Sequence, residues 1–110
     1  MPASRCLHHN DFGCISQCPK GCCLHLYFGN VALCLKRHEL AEWCTTLAAL
    51  YERHAGRLAD PTARCLSLPG PAACQVFVFT LEEVFLLYDV LMGAALLLEA
   101  ETILAVSAAE

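Results

Sequence analysis

Leu24-His25-Leu26-Tyr27-Phe28-Gly29-Asn30-Val31-Ala32-Leu33-Cys34-Leu35 alternates in polarity on both sides of one dipeptide. Leu24, Leu26 and Phe28 share one face of a strand, and Val31, Leu33 and Leu35 share one face of the next. Gly29-Asn30 puts glycine first, as a type II′ turn requires, because the first central residue of that turn has a positive φ. Phe28 and Val31 then flank the turn on the same side, so the two apolar faces agree. The stretch predicts an antiparallel hairpin with one apolar face.

Downstream of the hairpin, the spacing predicts a helix over 38–55. Leu40, Trp43, Cys44, Leu47, Leu50, Tyr51 and His54 fall on one face, with Glu39, Glu42, Glu52 and Arg53 off it. Gly56 stops this helix and Pro61 lies in the loop beyond. Segments 65–68 and 74–79 read as strands around Pro69-Gly70-Pro71. Thr80 with Glu83 makes a capping box, which opens a last helix over 81–105. That helix carries two apolar stripes: Val84, Leu87, Leu91, Ala95 and Leu98 on one, Phe85, Tyr88, Met92 and Leu96 on the other. Two stripes imply burial on two sides, by the helix's own chain or by a second copy, with Gly93 permitting close approach.

The expected fold is α+β: a small antiparallel sheet of hairpins with two packed helices and a Cys-rich N-terminal segment. The order suggests two ββα units sharing one sheet. A single domain, 1–110, is expected, made of a Cys/His-rich metal segment (1–23), a hairpin plus helix (24–55) and a hairpin plus long apolar helix (65–106).

Upstream, residues 1–23 hold Cys6, Cys14, Cys18, Cys22 and Cys23 with His8 and His9, and no apolar period runs through them. Such a segment is expected to be fixed by something other than a core. Zinc takes soft ligands in a tetrahedron, and close-spaced cysteines on a tight turn supply a pair of them. Cys18 and Cys22 bracket Pro-Lys-Gly, which suits that turn. The predicted cofactor is Zn2+, with ligands drawn from Cys18, Cys22, Cys6, Cys14, Cys23 and His9. A metal-free thiol group and a redox centre are the alternatives. Cys14, Cys18 and Cys22 do not match the spacing of ferredoxin clusters, and no Cys-x-x-Cys opens a helix. Cys34, Cys44, Cys65 and Cys74 read as small buried hydrophobes, and His25 as a solvent-side residue of the hairpin.

Composition constrains partners. Hydrophobic residues make up 57% of the chain and charged ones 16%, more apolar side chain than one small core hides. A homo-oligomer through the C-terminal helix, or another protein partner, follows. The net charge of −4 and the scattered Lys and Arg residues argue against nucleic acid. The uncharged run 90–98 is short against the roughly 20 residues of a membrane span. Nine cysteines without a signal-like apolar run in residues 1–13 indicate a reducing, cytoplasmic setting. No phosphate loop or nucleophile elbow occurs, and no catalytic residue is assigned. The leading expectation is a non-enzymatic, zinc-stabilised interaction module. The alternative is a thiol-dependent redox protein or metal sensor using the N-terminal cysteines.

The run His9-Asn10, Gly13-Cys14-Ile15, Cys18, Cys22 and Leu24-His25-Leu26-Tyr27-Phe28-Gly29-Asn30 resembles a family of small bacterial proteins of uncharacterised activity. In that family a Cys-x-x-Cys pair precedes a strand ending in Phe-Gly-Asn. Leu81-Glu82-Glu83-Val84 and Leu98-Glu99-Ala100-Glu101 are also similar to it. The resemblance implies a shared fold and cysteine site, and brings no activity with it. Here three residues separate Cys18 from Cys22, a departure that leaves the ligand role open between Cys22 and Cys23.

Overall fold

The central hairpin forms as its alternation dictates. β3 (Leu24–Phe28) and β4 (Val31–Leu35) pair antiparallel with Phe28 opposite Val31, and Gly29 takes the positive φ of 55° that the turn needs. The structure is a computed structural model that describes residues 5–20 and 23–109. The fold is α+β, with a four-stranded antiparallel sheet, a separate two-stranded ribbon and two helices.

The N-terminal segment is sheet, contrary to the expectation that it lacks a core of its own. β1 (Arg5–His9) and β2 (Gly13–Gln17) extend the hairpin to the order β1-β2-β3-β4. Leu7 and Ile15 are buried, Ile15 directly opposite Leu26. A bulge between Cys6 and His8 puts both Leu7 and His8 against Ile15's side of the sheet. Two inward residues in so short a strand are too few to show as a period, so a sequence reading passes over them. Gly13 lets β2 approach β3: a Cβ there would lie 2.1 Å from the Tyr27 carbonyl oxygen.

The first helix, α1 (Arg37–His54), buries Leu40, Trp43, Cys44 and Leu47, and the Lys36 amide donates to Glu39 Oε1 at 2.8 Å at its start. β5 (Leu66–Pro69) and β6 (Val76–Phe79) pair only with each other, so the two ββα units do not share one sheet. The ribbon adds no strand to either edge of the sheet, β1 or β4. Phe77 and Phe79 instead pack on Phe28, at centroid distances of 5.6 and 5.7 Å, and Phe79 also meets Phe12.

The second helix, α2 (Leu81–Ala109), opens with the expected capping box: Thr80 N–H donates to Glu83 Oε1 at 2.8 Å and Glu83 N–H to Thr80 Oγ1 at 3.1 Å. It lies along β1, β2 and α1, burying Val84, Leu87, Val90, Leu91, Ala94 and Leu98. Of the expected second stripe, Phe85 and Leu96 are exposed while Tyr88 and Met92 are half-buried. Gly93 seats the His8 ring rather than another helix. Asn10 clasps β1–β2 to α2, its amide donating to Leu86 O at 2.9 Å and Asp89 Oδ2 at 3.0 Å. Its own oxygen accepts from the Phe12 and Gly13 amides at 2.9 and 3.2 Å. Past Leu98 the helix leaves the core, which stretches the molecule to 53 Å along one axis against 30 and 27 Å on the others. Arg5, on Glu101 at 2.6 and 2.9 Å, ties this end to β1. By length and composition α2 is long and apolar enough to cross a membrane, which the shorter uncharged run 90–98 did not suggest.

Candidate metal centre

Strand alternation sorts the sheet's chemistry by face. Leu24, Leu26, Phe28, Ile15 and Leu7 point into the core. Residues one step out of that register lie on the other face: Cys14, Ser16 and Cys18 along β2 and its end, Cys23, His25 and Tyr27 along β3. Cys6 stands opposite Ser16, His9 opposite Cys14, and Cys34 opposite His25. The open face of the sheet is therefore lined with thiols and imidazoles.

Three of these side chains converge. The Cys18 amide donates to the Cys23 carbonyl at 3.1 Å, which continues the β2–β3 pairing one step past Gln17 and Leu24 and brings the two cysteines face to face. His25, the next outward residue along β3, completes the group. One donor atom each from Cys18, Cys23 and His25 lies within 4.8 Å of the others, and all three residues are half-buried. His25 Nε2 is 3.7 Å from Cys23 Sγ. Neighbouring sulfur and nitrogen ligands on a tetrahedral zinc stand roughly 3.6 Å apart, from Zn–S near 2.3 Å and Zn–N near 2.1 Å. This group can hold a metal ion. The donors are two sulfurs and an imidazole nitrogen, with no carboxylate among them, which suits thiophilic and borderline ions rather than calcium or magnesium.

Among the residues expected from sequence, Cys18 and Cys23 enter the group. Cys6, Cys14 and His9 occupy the same face but stand outside it; Cys6 Sγ instead meets the His8 carbonyl at 3.7 Å. Cys22 lies outside the described residues. His25, read from sequence as merely solvent-side, is the member of the candidate group that reading missed. Its signal was available in Cys23-Leu24-His25, an i, i+2 pair on one face of a strand. The other nitrogen of the ring, Nδ1, faces Cys34 Sγ at 3.5 Å. Cys34, Cys65 and Cys74 are exposed, not the buried hydrophobes expected; only Cys44 is buried, and that burial pushes its thiol up from its ordinary pKa.

No protein-family model, no curated protein and no solved structure matches this chain.

Proposed function

We propose that this chain is a non-enzymatic, zinc-binding interaction module. Zn2+ is held on the open sheet face by Cys18, Cys23 and His25, and a protein partner, foremost a second copy, meets the projecting end of α2. The observation that carries the reading is the convergence of those two sulfurs and one ring nitrogen. Two thiolates balance the charge of the ion, and the neutral imidazole adds a third ligand of the type zinc prefers. The reading requires reduced cysteines, which supports a cytoplasmic setting. The partner half rests on Ile103, Leu104 and Val106, exposed by 58 to 68% on the last turns of α2.

Elemental analysis of the purified chain tests the metal. About one zinc per chain is expected, with His25→Ala and Cys23→Ser each losing it. A wild-type chain that neither carries zinc nor takes it up removes the reading.

One observation favours a second reading, a thiol-reactive protein: the His25 ring sits between the sulfurs of Cys23 and Cys34. It expects one of the two to alkylate far faster than exposed Cys65 and Cys74. Uniform rates would exclude it.

A further inference from the structure

We propose that Cys34 is a positioning residue for the metal centre: its sulfur accepts a hydrogen bond from His25 Nδ1–H and so presents the Nε2 lone pair to the ion. The inference rests on the zinc-binding reading above and adds to it a residue on a different strand. Neutral imidazole carries its proton on one nitrogen or the other, and only the deprotonated nitrogen can bind a metal. Ligating histidines have that choice made by whatever the second nitrogen bonds. Here Cys34 lies directly across β3–β4 from His25, and its Sγ is 3.5 Å from Nδ1. Nε2 faces the other way, 3.7 Å from Cys23 Sγ. The two sulfurs thus play different parts. Cys23 is on the Nε2 side of the ring and in the three-residue group, whereas Cys34 is on the Nδ1 side and outside that group.

The chemistry balances without a co-reactant. Hydrated Zn2+ gives up waters as it bonds two sulfurs and one nitrogen and keeps a water in the fourth tetrahedral position, the thiols of Cys18 and Cys23 release two protons to solvent, and the Nδ1 proton stays where it is, on the ring and aimed at Cys34.

Co2+ serves as a visible stand-in for zinc in the full-length chain, with affinity read by chelator competition and thiolate ligation by sulfur-to-cobalt absorption. Cys34→Ala is expected to weaken Co2+ and Zn2+ binding by about tenfold or more, the usual cost of losing such a partner. Cys34→Ser, whose hydroxyl oxygen can still accept from Nδ1–H, is expected to restore most of that loss. Thiolate absorption should stay at the wild-type level in both variants. Nitrogen-15 spectra of the metal-free protein should show His25 protonated at Nδ1 in wild type and a mixture of tautomers in Cys34→Ala. Wild-type affinity and wild-type tautomer in Cys34→Ala would overturn the proposal. So would a fall in thiolate absorption in both variants, because Cys34 would then be a ligand itself. Failure of wild type to bind either ion would sink the zinc reading instead, which separates the two claims.

Discussion

The residues that decide this structure are those at which only one side chain fits. Gly13 is the clearest: a methyl group there would collide with the Tyr27 carbonyl, a backbone atom that cannot move without breaking the β2–β3 ladder. Gly13→Ala is therefore expected to cost about 3 kcal/mol, at the upper end for an overpacked site, measured by denaturant unfolding. The same scale shows where sequence reading reached and where it stopped. Phe28, Gly29 and Val31 announced their pairing because turn chemistry and alternation coincide in adjacent residues. His25 was harder to read, because apart from Cys23 its partners Cys18 and Cys34 are brought to it by cross-strand pairing rather than by sequence neighbourhood. Of the pair Cys22 and Cys23, Cys23 joins the group by its register on β3, and Cys22 lies outside the described residues.

Elements are stabilised here by their ends as much as by their faces. The capping box of α2 was legible in Thr80 and Glu83 because it is a local motif, and Arg64 adds to it from the loop between α1 and β5, 2.8 Å from Glu83 Oε2. Thr80→Ala is expected to destabilise by about 1 kcal/mol in thermal or denaturant unfolding. Partial burial tends to raise the Glu83 carboxyl, but bonds from Arg64 and from the Thr80 amide outweigh it and hold it below the usual carboxylate range. At the other end of the helix, the Arg5 guanidinium holds Glu101 below that range as well. A depressed folded-state value means stability that is present in full above about pH 4.3, the unfolded value of a glutamate, and is lost as pH falls through the folded one. Melting curves of wild type and Glu83→Gln should accordingly differ at pH 7 and converge in acid. A gap that is independent of pH would refute the ion pair's part in it. The strand assignments were less legible than the helices: β1 and β2 escaped notice because their bulge and short length leave only Leu7 and Ile15 to mark them.

At the scale of the whole molecule, one apolar cluster joins the sheet, the ribbon and both helices, and the metal group lies outside it on the opposite face. Chelation should therefore leave far-UV circular dichroism unchanged and lower the melting temperature only by ligand linkage, about 3 kcal/mol at a hundredfold excess of ion over its Kd. A chain that unfolds on chelation, as zinc fingers do, would contradict this placement. The far end of α2 sets a second expectation. Light scattering should show concentration-dependent dimers that Leu104→Asp disperses, since Leu104 is 68% exposed. A wild-type monomer at every concentration would leave that end without a second copy. The sheet itself carries a constraint of a different kind. Its leucines and its thiols are kept apart by nothing more than odd and even positions along β2 and β3. A slip of β3 by one residue would turn Cys23 and His25 toward the oil of the interior and their leucine neighbours toward water, destroying receptacle and scaffold in a single event. Insertions and deletions are therefore expected to be tolerated in the connections and not inside these strands.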